Sequence, residues 1–246
     1  MKTYLAGEHL KHKGTLVRKV PLIAPLLTLT LSFFLMPLYF TSNAYNWWSL
    51  LLLPLSFALV SGLIYQRDEK NLGYRALFPL DIDLKRVWLA KIILGLSYMS
   101  LALALHLVGV LVLQAFLGPQ ATGPYPLASL LGTSAFLLGV NLWQVPLQLF
   151  LARKFGFLAS LALGPLLALG PGLVLADGPL WIYSPYSWGL RGLVPLLGIL
   201  PNGIPAPPGH PLASSPWVLP LLLSLGLFIL LCLATGHWFS RGEVSP

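Results

Sequence analysis

Six apolar stretches of about 20 residues leave this chain little choice of solvent. They cover residues 20–39, 47–65, 91–117, 127–151, 157–176 and 217–239. A hydrocarbon layer about 30 Å thick is crossed by about 20 helical residues, and a helix satisfies its backbone hydrogen bonds internally. Only 9% of the residues are charged and 57% are hydrophobic, whereas a water-soluble domain carries roughly a quarter charged residues. The expected fold is all-α and integral to a membrane. Residues 1–246 read as one transmembrane domain with six transmembrane helices.

The basic residues orient those spans. Lys2, Lys11, Lys13, Arg18 and Lys19 precede the first stretch, and Arg67, Lys70, Arg75, Lys85, Arg86 and Lys91 lie between the second and third. Arg153 and Lys154 separate the fourth from the fifth, and Arg241 follows the last. Only Arg191 falls on the opposite side. Lys and Arg near span ends are retained in the cytoplasm, so both termini are expected there, in a multi-pass protein of the cell membrane. The net charge of +8 then describes a surface facing the lipid bilayer, and no nucleic acid is needed as partner. The run 20–39 is too long for a signal-peptide core and has no small-residue cleavage pattern behind it, so it reads as a retained span. Trp47, Trp48, Trp181, Trp188 and Trp217 are expected to ring the outer interface, with Trp88 and Trp238 at the inner one. The outer connections 40–46 and 118–126 are short and uncharged, which makes the helices they join antiparallel neighbours.

Three segments outside the spans carry information. Residues 1–19 mix basic side chains with Tyr4, Leu5, Leu10, Leu16 and Val17, which fits either an amphipathic helix at the inner surface or a solvated basic tail. The loop from Gln66 to Ala90 sets the apolar run Tyr74–Leu80 between charged flanks, a shape suited to docking a soluble partner or to lying on the membrane. Within it, Asp83 is placed to cap a short helix through Leu84 and Val87 towards Trp88. The outer connection 177–216 is proline-rich but holds apolar pieces too short to span, as a re-entrant helical hairpin before span six would.

Catalytic chemistry is not visible. The chain has no G-x-x-x-x-G-K-[ST] loop, no G-x-S-x-G, no H-E-x-x-H and no pair of aspartates within spans. It is therefore expected not to be an enzyme. The single cysteine, Cys232, excludes an internal disulfide, and the five histidines are too dispersed to suggest a metal site. Polar residues inside spans are few: His106, Gln114, Asn141, Gln144 and Gln148. The last three are spaced i, i+3, i+7 on one helical face. They either line a cavity or subunit seam, or act as hydrogen-bond glue between helices. With so little intramembrane charge, energy for any transport is expected to enter through the charged loop rather than from an ion gradient.

The stretch Tyr45-Asn46-Trp47-Trp48, Pro54, Tyr65-Gln66-Arg67-Asp68-Glu69-Lys70-Asn71, Tyr74-Arg75-Ala76-Leu77-Phe78-Pro79-Leu80 and Trp88-Leu89-Ala90-Lys91 resembles lantibiotic-immunity ABC transporter permeases. The similarity is strongest over residues 43–95. It implies a type-2 ABC exporter permease with an amino-terminal interfacial helix, a cytoplasmic coupling helix between spans two and three, and short re-entrant helices before span six. It also implies a second permease subunit, identical or homologous, and a cytoplasmic ATP-binding-cassette ATPase dimer that binds ATP and magnesium, with no cofactor in this chain. The substrate implied is an antimicrobial peptide or other amphipathic molecule expelled from the membrane. Carried onto this sequence, the ATPase contact falls on Tyr74, Leu77, Phe78, Pro79, Asp81 and Asp83. The family's leucine-proline pair reads Phe78-Pro79 here, and the outer loop, with only Asp177 and Arg191 charged, has no acidic patch to attract a cationic peptide. The alternative expectation is a non-transporting membrane scaffold or receptor that docks a cytoplasmic partner.

Overall fold

A computed structural model describes residues 1–70, 82–118 and 125–241. Among these the regular structure is helical, with no strand and one isolated antiparallel bridge between Ile199 and Pro205. In chain order the α-helices are α1 (Lys2–Lys11), α2 (Val20–Leu35), α3 (Phe40–Trp47), α4 (Leu53–Lys70), α5 (Leu84–Leu117), α6 (Leu127–Asn141), α7 (Gln144–Phe155), α8 (Phe157–Leu167), α9 (Leu173–Ala176), α10 (Ser187–Leu197) and α11 (Val218–Ser240). Five helical runs are long and apolar enough to cross a membrane: Pro37–Glu69, Leu84–Leu117, Leu127–Phe155, Phe157–Ala176 and Val218–Ser240.

The first expected span falls short of that length. Pro37 pushes the residue before it out of the helical region, and Met36 accordingly adopts φ −158°, ψ 73°. At 16 residues, α2 rises only about 24 Å. The segment 40–46, expected as an outer loop, is instead helical and belongs to α3, near the start of the run Pro37–Glu69. The connection 118–126 lies mostly outside the described residues.

Prolines explain the other irregularities. A proline ring meets the carbonyl four residues before it, and the helix yields locally. Pro146 lies four residues after Leu142, where the run Leu127–Phe155 breaks between α6 and α7. Wide π turns at Trp48–Leu52 and Ala168–Gly172 accommodate Pro54 and Pro171. The two π turns pack against each other.

Burial divides the bundle into two classes. In the most apolar window of Pro37–Glu69, 72% of residues are buried, and in that of Leu127–Phe155, 61%; in Val218–Ser240 only 17% are. The runs Pro37–Glu69 and Leu127–Phe155 are thus largely surrounded by protein. The others present apolar side chains outward, among them Leu101, Val108 and Val112 of α5 and Leu222, Leu225, Ile229 and Leu233 of α11. A belt of this kind is stable in lipid and not in water. The α5 helix packs on α1, α2, α4, α6 and α11, while α4 packs on α2, α5, α7 and α8.

The tryptophans depart from the expected interfacial rings. Trp48, Trp88 and Trp188 are buried in the protein, and only Trp217 is substantially exposed among the seven. The Trp88 indole donates to Thr235 Oγ1 at 2.9 Å and stacks on Phe239, so it joins α5 to α11 rather than anchoring in headgroups. The connection before α11 holds two 3-10 turns, Pro179–Tyr183 and Pro211–Ser214, on either side of one short α-helix, α10, and the first of these turns packs on α10. Trp188, Leu190, Leu193, Val194 and Leu197 of α10 are buried, and the helix packs on α6 and α9. It stops at Gly198, whose φ of 64° is the left-handed closure that glycine permits at no steric cost.

Candidate functional site

Four charges close into a ring where α1, α4 and α5 meet. The α1 helix carries Glu8, Lys11 and, just past its end, His12, spaced i, i+3, i+4 and so on one face. Asp68 comes from the last turns of α4 and Lys91 from the early part of α5. Lys91 Nζ donates to Glu8 Oε2 at 2.9 Å and also to Asp68 Oδ2. Lys11 Nζ donates to Glu8 Oε1 at 2.7 Å and to Asp68 Oδ1 at 3.1 Å. Each carboxylate therefore gives one oxygen to each lysine, and the four charges cancel.

The ring is largely out of water. The Lys91 side chain is 0% exposed, Glu8 4%, Asp68 12% and Lys11 33%. An ammonium as buried as Lys91 is tolerable only when paired and hydrogen-bonded, and here it is both. Burial works against the Lys11 cation, but the Glu8 and Asp68 carboxylates outweigh it and raise its pKa. His12 responds in the opposite sense. Burial, then the Lys91 cation, lowers its pKa to about 4, against the pull of Glu8 and Asp68. His12 is therefore neutral near pH 7, and its Nε2 has no hydrogen-bond partner among the described residues.

Further bonds tie α1 to both ends of the loop between α4 and α5. Arg67 Nε donates to the Lys11 carbonyl at 3.1 Å at the loop's start. At its end the Asp83 amide donates to the Tyr4 hydroxyl at 3.3 Å. The Asp83 carboxylate caps α5 by accepting from the Lys85 and Arg86 amides at 3.0 and 3.2 Å, as its position suggested. The helix it starts is not short, however, for it runs 34 residues into the third span. Tyr74, Leu77, Phe78, Pro79 and Asp81, the other residues expected to contact an ATPase, lie outside the described residues.

The amino-terminal segment is thus a docked helix, held by polar side chains as well as by Tyr4 and Val17, which pack against the core. Leu10 and Leu16 are exposed, while Glu8 and His12 are buried. Glu8 escaped sequence reasoning altogether, and Lys91 entered only as a basic residue and as part of the motif Trp88-Leu89-Ala90-Lys91. The legible trace was the Glu8, Lys11, His12 spacing, facing two span ends that carry opposite charges at Asp68 and Lys91.

The polar face of the fourth span turns inward. Asn141, Gln144 and Gln148 are all buried, and their hydrogen bonds run within the chain. Asn141 Nδ2 donates to the Leu137 carbonyl at 2.8 Å, and Gln144 Nε2 to Asn141 Oδ1 at 2.6 Å. Ser160 Oγ of α8 donates to Gln148 Oε1 at 2.8 Å. Elsewhere, His106 is fully buried and stacks on Trp48 with ring centroids 4.8 Å apart, while Gln114 Nε2 donates to Thr41 Oγ1 at 2.9 Å. No three His, Cys, Asp or Glu side chains come together to hold a metal among the described residues. No protein-family model, curated protein or solved structure matches this chain.

Proposed function

We propose that this chain is the membrane-spanning permease subunit of an ABC exporter. Separate ATPase subunits drive it, and it moves an amphipathic substrate, such as a lantibiotic-like peptide, out of the cell membrane to give resistance. In this reading α2 completes a six-span layout, both termini and the loop 71–81 are cytoplasmic, and a second permease subunit stands beside this one. The sequence resemblance over residues 43–95 supports it. One structural observation carries it further: α1 is bonded to both ends of the loop that would receive the ATPase, through Asp68 and Arg67 before it and Asp83 and Lys91 after it. A push on that loop would move α1, α4 and α5 as one body, the rigid-body switching that couples a soluble motor to a helix bundle.

The test is purification of the tagged full chain from its native membrane, followed by assay of ATP hydrolysis. An ATP-binding-cassette ATPase should co-purify in stoichiometric amount, and Phe78→Asp should abolish its association or stimulation while membrane insertion stays intact. Recovery of the chain without any ATPase, or normal stimulation in Phe78→Asp, would overturn the proposal and leave the scaffold reading in its place.

A further inference from the structure

Two hollows meet at Leu16, where the chain bends from α1 into α2 across the flank of α4. One has a volume of about 170 Å³ and is polar at its mouth, with His12, Thr15, Gln66 and Arg67 among its walls. The other, also about 170 Å³, is apolar, with Leu16, Val20, Ile23, Leu27, Leu55 and Leu59 along it. Leu16 lines both. Ile23 and Leu27 are about half exposed, so the apolar part opens sideways, on the surface that lipid would cover.

We infer that this cleft binds an anionic phospholipid, its phosphate held by Arg67 and His12 and one acyl chain lying between α2 and α4. The order of chemistry along the cleft, cationic then apolar, is that of a phospholipid from headgroup to tail. Arg67 is exposed, and Arg67 Nε is engaged with the Lys11 carbonyl, which holds the guanidinium at the mouth. His12 is 1% exposed and its Nε2 is unpartnered, an arrangement that costs free energy unless a ligand supplies the missing hydrogen bond. The neighbouring ring of Glu8, Lys11, Asp68 and Lys91 is internally neutral, so Arg67 sets the sign of the mouth and selects a negative headgroup. A larger groove between α5 and α11 also carries basic groups, Lys85 and His237, beside Trp88 and Leu233. None of its wall residues has an unpartnered buried polar atom, and it serves as the control. The inference requires that α2 and α4 lie in a bilayer and does not depend on transport.

The full chain in detergent, titrated with palmitoyl-oleoyl phosphatidylglycerol and phosphatidylcholine and read by native mass spectrometry, tests it. Phosphatidylglycerol should bind about tenfold more tightly than phosphatidylcholine. Arg67→Gln should remove that preference and Leu55→Trp should block the tail, each weakening binding about tenfold, while Lys85→Gln leaves it unchanged. Equal binding of the two lipids, or retention of the preference in Arg67→Gln, would overturn the inference. So would displacement of the lipid by glycerol 3-phosphate, which would mean that the headgroup binds without the tail. If Leu55→Trp aggregates, Arg67→Gln, a change at an exposed side chain, decides the matter by itself.

Discussion

Lys91 reaches back 83 residues to place its ammonium 2.9 Å from Glu8 Oε2, with none of its side chain exposed. A bond of that reach ties the amino-terminal helix to the bundle. It also explains why so small a helix keeps a fixed position: the carboxylate it contributes is the counter-charge to a buried lysine.

Removing that lysine should be costly. Lys91→Met leaves Glu8 and Asp68 facing each other with only the partly exposed Lys11 between them. Loss of one partner from a buried pair costs about 3–5 kcal/mol, which thermal denaturation of the detergent-solubilised chain measures. Lys11→Met, at a third-exposed site, should cost much less, about 1 kcal/mol. Equal effects of the two substitutions would mean that the ring is not organised around Lys91.

Acid should loosen α1. The folded pKa of His12 is about 4, below the ordinary 6.5, so an undocked helix binds that proton more tightly than a docked one. Docking is then at full strength above about pH 6.5 and weakens as the pH falls towards 4. Glu8 and Asp68 face His12 together with Lys11 and Lys91, and Asp68, whose pKa burial raises and the Lys91 and Lys11 cations lower on balance, acts in the same direction when it is protonated. Hydrogen exchange of residues 2–11 at pH 7 and pH 5, corrected for intrinsic rates, reads the effect. His12→Asn should flatten the change, and a variant as pH-sensitive as the parent would exclude His12 as its source.

Gly172 should tolerate no side chain. A methyl group there would lie 2.9 Å from Tyr186 Cβ and 3.0 Å from the Leu167 carbonyl oxygen, inside the second π turn. Overpacking of this kind costs about 1–3 kcal/mol. Gly132→Ala, where nothing lies within 4 Å, is the matched control, and similar melting of the two variants would show that the π turn repacks.

The fourth span separates two roles by experiment. If its polar residues serve only as glue, Ser160→Ala should lower stability by about 1 kcal/mol through loss of the bond to Gln148, and Gln144→Leu should leave the proposed export unchanged in a folded chain. Loss of export with normal melting in Gln144→Leu would put that face on the substrate path.

Local features are legible in the order of residues alone. Asp83 capping α5 needs only a short polar side chain ahead of an apolar run, and Asp177 follows directly on the end of α9. Some prolines mark where helices yield, though Pro25 and Pro195 sit inside unbroken helices and two others are absorbed by π turns in mutual contact. The tryptophans mislead because an indole satisfies its N–H as well against Thr235 as against a headgroup.

The amino-acid sequence was enough to determine the solvent, the all-helical class and the grouping of basic residues around particular span ends. These follow from hydropathy, length and charge, which add up along the chain without reference to contacts. Tertiary structure alone decided which helices are wrapped by protein and which face outward, because lipid and protein interior are equally apolar and one composition suits both. It alone also brought Glu8, Lys11, Asp68 and Lys91 together, since pairing between residues so far apart depends on how α1, α4 and α5 pack rather than on any spacing within one of them.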